Sequence, residues 1–287
     1  MSNLAVRTNM LALNSHRNLG NVSNQQARAS QRLSSGFRIN SGADDAAGLA
    51  ISEGMRAQIR GLNQATRNSQ DGISLIQTAE GYSSTITELM QRGRELAVQG
   101  ANDTNSVDQR AHIQNELAQI HTEVTRIWEN STFNGQTVFG GTEALLSGEF
   151  NLQVGADTAA AGNVIDVVGQ LSQISAAAGA ITAFATAATG NTTHEHFNAA
   201  IDTIDTQINH MSALRAGLGA VQNRLEFTID NLNVASENMS AAESRIRDAD
   251  MGAEMMRLTQ ANVLQQAATA MLAQGNQAPQ SVLQLLG

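Results

Sequence analysis

From Phe197 to Met256 the chain keeps one apolar seam. Its positions are Phe197, Ala200, Ile204, Gln207, Met211, Leu214, Leu218, Val221, Leu225, Thr228, Leu232, Ala235, Met239, Ala242, Ile246, Ala249, Ala253 and Met256. The steps alternate three and four, and only Gln207 and Thr228 are polar. Residues at that spacing share one side of an α-helix, and a seam held this long is the a/d stripe of a coiled coil. The stretch "SRIRDADMG", Ser244 to Gly252, is where it can bend or break.

Two shorter seams lie upstream. One runs through Leu75, Ala79, Tyr82, Ile86, Leu89, Gly93 and Leu96, the other through Ile113, Leu117, Ile120, Val124 and Ile127. "GANDTNSVDQR", Gly100 to Arg110, separates them with turn and N-cap residues. Weaker stripes rich in small residues sit at the two ends: Leu4, Leu11, Leu19, Val22, Ala29 and Leu33, then Ala261, Leu264, Ala268 and Met271. A single proline, Pro279, leaves long helices unbroken. A helix of some 50 residues would be about 75 Å long, so the chain reads as a rod. Between Phe133 and Phe197, "FNGQTVFGG", "GEFNLQVGAD" and "GNVIDVVGQ" read as two or three short strands or hairpins. "SAAAGAITAFATAATGNTTHEH", Ser175 to His196, reads as a short helix or a surface loop. The fold class is mainly α, with a small central β region.

Composition narrows the function. Aromatics are 3% and charged residues 15%, so Ala, Leu, Ile and Met carry the burial, and the surface is rich in Asn, Gln, Ser and Thr. Such surfaces suit close packing against many neighbours, because each buried charge needs a partner. All 17 basic residues are Arg and the net charge is -9, which argues against a nucleic-acid partner. Cysteine is absent, and with it disulfides, thiolate nucleophiles and Cys-based metal sites. The N-terminus lacks the basic and apolar regions of a Sec-type signal, and no apolar run is long enough to insert in a membrane.

The loop "SSGFRINSGADDAAG", Ser34 to Gly48, invites a ligand reading. Gly36 and Gly42 are one residue too far apart for a phosphate loop, and Ala43-Asp44 stands where Lys-Ser/Thr is needed. Adjacent Asp44 and Asp45 cannot supply the alternating ligands of a calcium loop. Ser41-x-x-Asp44 instead predicts a capping box with both aspartates in a first helical turn. His194-Glu195-His196 lacks the spacing of a helical zinc site and reads as a solvated turn. His112 and His121 read as exposed helix positions. Asp248 and Asp250, near Arg245 and Arg247, read as an exposed ion-pair cluster. No nucleophile–base pair can be picked out, so no enzyme and no cofactor is expected.

The stretch from "NSHRNLGNVSNQQARASQRLSSGFRINSGADDAAGLAISEGMRAQIRGLNQATRNSQDGISLIQTAEG" through "RELAVQGAND", "IQNELAQI" and "TFNGQTVF" resembles the N-terminal region of bacterial flagellin. "LRAGLGAVQNRLEFTIDNL", "AAESRIRDADMGAEM" and "QANVLQQAATAMLAQGNQAPQSVLQLLG" resemble its C-terminal region. The resemblance covers about residues 1–156 and 197–287. It implies a subunit that polymerises with itself into the flagellar filament outside the cell, exported through the flagellar type III channel. It places 1–42 and 245–287 in the filament core, with Leu4, Leu11, Leu19, Val22, Leu33, Ala261, Leu264, Ala268 and Met271 as the polymerisation stripes. Residues 43–156 and 197–244 form the next shell, and 157–196 a short variable insert. The terminal stripes are expected to order on assembly. Gly36, Arg38, Gly42, Asp44 and Asp45 fall in the spoke between shells, with Arg38 as the expected contact to a neighbouring subunit. Implied partners are an export chaperone, the filament cap and hook-junction proteins, and the flagellin-sensing Toll-like receptor. The receptor positions map to Arg92, Leu96 and Glu116. Gly93 departs from the family pattern, which often has a larger apolar residue there, and Trp128 stands where a small residue is usual.

Overall fold

The structure is a computed structural model that describes residues 9–140, 144–146, 150–156, 163–167, 176–179, 181–184 and 193–286. Leu4 lies outside the described residues, as do the Leu11 side chain and most of the 157–196 insert. The chain divides into two compact units, one from Met1–Ala57 with Asn238–Gly287, the other Gln58–Glu237. Five helices and four short strands are named here: α1 Met10–Ser35, α2 Ala46–Gly100, α3 Val107–Asn130, β1 Thr132–Phe133, β2 Gln136–Thr137, β3 Asn151–Gln153, β4 Val164–Asp166, α4 His194–Arg247 and α5 Met251–Leu286. The molecule is mainly α, as the seams predict.

In the first unit, α1 and α5 lie antiparallel. Asn9 donates to the Gly275 carbonyl, Gln26 to Asn262, and Arg32 pairs with Glu254, so one helix descends as the other rises. Ala29 and Ala261 are buried, and these small side chains let the backbones approach. The Asn9 side chain caps α1 by accepting from Ala12 N–H. Gly36 ends the helix in the left-handed region at φ 75°, its N–H donating to the Arg32 carbonyl at 2.8 Å. Only glycine takes that conformation without steric cost.

The second unit is built on the middle seams. Leu75, Ile86, Met90 and Leu96 of α2, Leu117 and Val124 of α3, and Phe197, Ile204, Met211, Leu218 and Leu225 of α4 share one core. Each such large apolar side chain contributes about 1.5–3 kcal/mol on burial. Arg94 with Asp205, Glu80 with Arg215 and Asn63 with Ser236 set α2 and α4 antiparallel. Ser106 and Gln109 form a reciprocal capping box at the start of α3. β1 and β2 make a hairpin, Thr132 opposite Thr137 and Phe133 opposite Gln136. Its turn is Asn134-Gly135, both at positive φ as a type I′ turn demands. β3 and β4 pair antiparallel, with Leu152 opposite Ile165. Trp128 stacks on Phe139 with ring centroids 4.6 Å apart.

Several expectations need correction. The long seam is buried continuously only from Phe197 to Leu225, with Thr228 half-buried. It ends with α4 at Arg247, and Met256, the last position of the predicted seam, is 70% exposed. His194 opens α4 rather than sitting in a turn; its Nδ1 hydrogen-bonds the Ala101 carbonyl. His121 is half-buried against the Phe184 ring.

Candidate assembly surface

The spoke residues lie in the first unit, at a joint formed by strand-like pairing. Phe37 bridges to Asp248, with Arg38 N–H donating to the Arg247 carbonyl at 2.7 Å and Ala249 N–H to the Gly36 carbonyl at 2.9 Å. The Arg247 guanidinium lies 4.6 Å from the Phe37 ring centroid and pairs with Glu53 at 3.0 Å. Burial pushes the Glu53 carboxyl up, but the hydrogen bond from Arg247 and the charges of Arg56 and Arg247 outweigh it, leaving it below the ordinary value. The Arg38 side chain donates to the Ile246 carbonyl, so it is engaged within its own chain. Ile39, two residues after Phe37, is buried.

The two aspartates take different roles from those predicted. Asp44 sits in the turn before α2 and accepts from the Asn40 and Ser41 N–H groups and the Ser41 hydroxyl. Hydrogen bonding by Ser41, first from its backbone, then from its side chain, holds the Asp44 carboxyl below the ordinary value. Asp45 is the cap of α2, accepting from Gly48 N–H at 2.9 Å. Neither falls in the first helical turn, which holds no acid. The predicted ion-pair cluster is also absent: Asp248 accepts from the Ser244 hydroxyl, Asp250 caps α5 by accepting from Gly252 and Ala253 N–H, and Arg247 turns to Glu53.

The terminal stripes are only half covered. Leu19, Val22, Leu33 and Ala268 are half-buried and Ala261 is buried, while Leu264 and Met271 stay exposed. Met10, Leu13, Met251, Met255, Met256 and Val263 are exposed with them. The exposed methionines of α5 were missed because the seam reading assigned Met256 to the interior. Also missed was Glu254, buried and paired with both Arg32 at 3.0 Å and Arg257 at 2.8 Å. Its burial follows from the antiparallel register of α1 and α5, which has no local signature.

In the second unit, Arg92 pairs with Glu95 at 3.0 Å and with Glu116 at 3.1 Å, and these hydrogen bonds raise the guanidinium above its ordinary value. Leu96 is 2% exposed. The Leu96 side chain thus belongs to the core, while those of Arg92 and Glu116 are about half exposed. Beside them, Phe184 of the insert covers Gly93. Among the described residues no group of His, Asp or Glu is placed to hold a metal, and no helix is long and apolar enough to cross a membrane.

What this surface belongs to is decided by the comparisons with known proteins. The bacterial flagellin N-terminal helical region matches residues 6–144, and the bacterial flagellin C-terminal helical region matches residues 201–286. The chain belongs to the bacterial flagellin family. It is 50% identical to a flagellin of Halalkalibacterium halodurans over 285 residues, covering 99% of this chain and 100% of that one. It is 44% identical to the flagellar filament 33 kDa core protein of Treponema phagedenis over 292 residues, covering 99% of this chain and 100% of that one. A Vibrio parahaemolyticus structure described as a flagellar hook-associated protein shares the fold at a TM-score of 0.53 and 14% identity, covering 71% of this chain and all of that one. The flagellin family is one of structural proteins, not enzymes.

Proposed function

We infer that this flagellin is a structural subunit of the bacterial flagellar filament, exported and polymerised head-to-tail with copies of itself. One observation carries the polymerisation reading. The α1–α5 pair leaves Met10, Leu13, Met251, Met255, Met256, Val263, Leu264 and Met271 in water. An exposed apolar surface of this kind marks an interaction site. A head-to-tail contact that does not close generates a helical filament, which buries that surface on every copy.

In this reading residues 1–42 and 245–287 form the core of the filament, with the stripes from Leu4 to Leu33 and from Ala261 to Met271 against neighbours. Residues 43–156 and 197–244 form the surrounding shell, and 157–196 its surface insert. The joint at Gly36, Arg38, Gly42, Asp44 and Asp45 sets how the shell sits on the core. Before export a chaperone shields α5; at the filament ends the cap and hook-junction proteins meet the same helices. A flagellin-sensing receptor would meet Arg92 and Glu116.

The test is polymerisation of purified chain. The full chain is expected to form long filaments that sediment and are visible by negative stain. Removing residues 260–287 is expected to abolish them while circular dichroism of the remainder stays helical. Filaments from the shortened chain would refute the assignment of α5 to the core.

A further inference from the structure

We propose that the groove between α1 and α5 at Arg28, Arg32 and Arg257 receives a carboxylate from a second copy of the chain. The groove encloses about 370 Å³ and is lined by Gln25, Arg28, Arg32, Glu254 and Arg257 among others. Its charge is unbalanced. α1 carries Arg17, Arg28 and Arg32 and no acid at all; α5 carries Arg257 and one acid, Glu254. That acid is already committed to Arg32 and Arg257. Arg28, one helical turn before Arg32, has no acidic partner among the described residues. So the two helices are basic within a chain whose net charge is -9.

In water this imbalance is harmless, because an exposed guanidinium is well solvated. It matters once the α1–α5 surface is buried between copies, and in this respect the proposal rests on the polymerisation reading. A guanidinium taken out of water without an anion is strongly destabilising. The groove is flanked by Leu264, one of the exposed apolar residues that polymerisation would cover. Burying the apolar side chain thus brings Arg28 and Arg257 into the interface as well. Neither α1 nor α5 can supply a further acid, so the anion must come from elsewhere.

A second copy has suitable groups. Asp44, Asp248 and Asp250 are bonded only to N–H groups and hydroxyls, and none has an ion pair among the described residues. Their carboxylates retain free lone pairs for a planar guanidinium, which takes a carboxylate in two-pronged fashion. Charge complementarity between a basic groove and acidic turns on identical copies also fixes register and suppresses misdocked contacts.

The chain's lack of lysine makes a direct test possible. In the Arg28→Lys variant the charge is kept and the introduced amine is the only side-chain amine present. A carbodiimide activates a carboxylate, the amine attacks it, an amide forms, and the reagent leaves as its urea. Filaments are grown from an equal mixture of ¹⁵N-labelled and unlabelled variant, cross-linked and digested. The expected product joins the peptide containing position 28 to an acid-bearing peptide, with half of the pairs mixed in isotope. Pairs of one isotope only, such as an intrachain link to Glu254, or no cross-link at all, would overturn the proposal.

Arg28→Glu gives the second arm. It is expected to raise the critical concentration for polymerisation about ten-fold at low salt, equivalent to ~1.4 kcal/mol per subunit. Arg28→Lys should stay within about two-fold, since it keeps the charge. The gap between Arg28→Glu and the unaltered chain should narrow toward 1 M salt, where screening acts within about 3 Å. Equal critical concentrations at low salt would overturn the proposal, provided the variant monomer melts as the unaltered one does. Failure of the unaltered chain to polymerise would instead strike at the polymerisation reading itself.

Discussion

Phe184 stands over Gly93. A Cβ built on Gly93 would lie 3.1 Å from the tip of the Phe184 ring, and Phe184 is fully buried there. The ring fills the space that a larger residue at position 93 would occupy. This contact also packs Phe184 of the insert against α2 at Gly93.

Gly93→Leu is therefore expected to destabilise the protein by about 1–3 kcal/mol through overpacking, despite the better helix propensity of leucine. Phe184→Ala alone should cost roughly 3–5 kcal/mol. The double variant should recover part of the loss, because the leucine refills the space that the ring leaves. Urea unfolding of the four chains measures the coupling. Simple additivity would show that the two positions do not share this space.

Gln207 is the polar position of the α4 seam that is fully enclosed. It is 4% exposed and its side-chain oxygen has no hydrogen-bond partner. Leaving a buried acceptor unsatisfied costs about 1–3 kcal/mol. Gln207→Leu is expected to raise stability by roughly 1 kcal/mol, since the hydrocarbon is of similar size and removes the unmet acceptor. Thermal unfolding checks it. An unchanged or lowered midpoint would mean that Gln207 is held by more than its burial suggests.

The two glycines of the joint should respond differently. Gly36 sits at φ 75°, where a side chain clashes with its own backbone. Gly36→Ala is expected to cost about 1–2 kcal/mol. Gly42 has no positive φ and nothing within 4 Å of a Cβ placed on it. Gly42→Ala is expected to be neutral or slightly stabilising, by up to about 1 kcal/mol through the unfolded chain. Melting curves of the two variants, compared with filament form by electron microscopy, separate local strain from an assembly effect.

Much of this architecture was legible because helix period is local. The seams through Leu75 to Leu96 and Ile113 to Ile127 match the observed core, and Asn134-Gly135 announced its hairpin. The joint was illegible for the opposite reason. Phe37 meets Asp248 across most of the chain's length, and no residue pattern on either side encodes that pairing. Capping rules saw Ser41-x-x-Asp44 and stopped there; Asp45, the true cap, differs from Asp44 only in where the turn ends. Leu96 enters the receptor set through the resemblance alone; no local pattern tells that its side chain lies in the core while Arg92, one turn earlier, lies outside.

Asp44 gives the joint a dependence on acid. Its carboxylate is held by Ser41 and Asn40 and titrates below its ordinary value of 3.8. A group whose folded value is depressed stabilises the fold fully above its unfolded value, and the contribution is lost as pH falls through the folded one. The turn should therefore be intact at neutral pH and loosen only below about pH 4, the ordinary carboxylate range. Asp44→Asn removes the titrating group but keeps one acceptor oxygen for the same N–H donors. Its stability is expected to be lower than that of the unaltered chain at pH 7 and to fall less steeply between pH 5 and 2. Hydrogen exchange at the Ser41 amide, followed over that range in both chains, reads the turn directly. Identical pH profiles would show that Asp44 contributes nothing that depends on its charge.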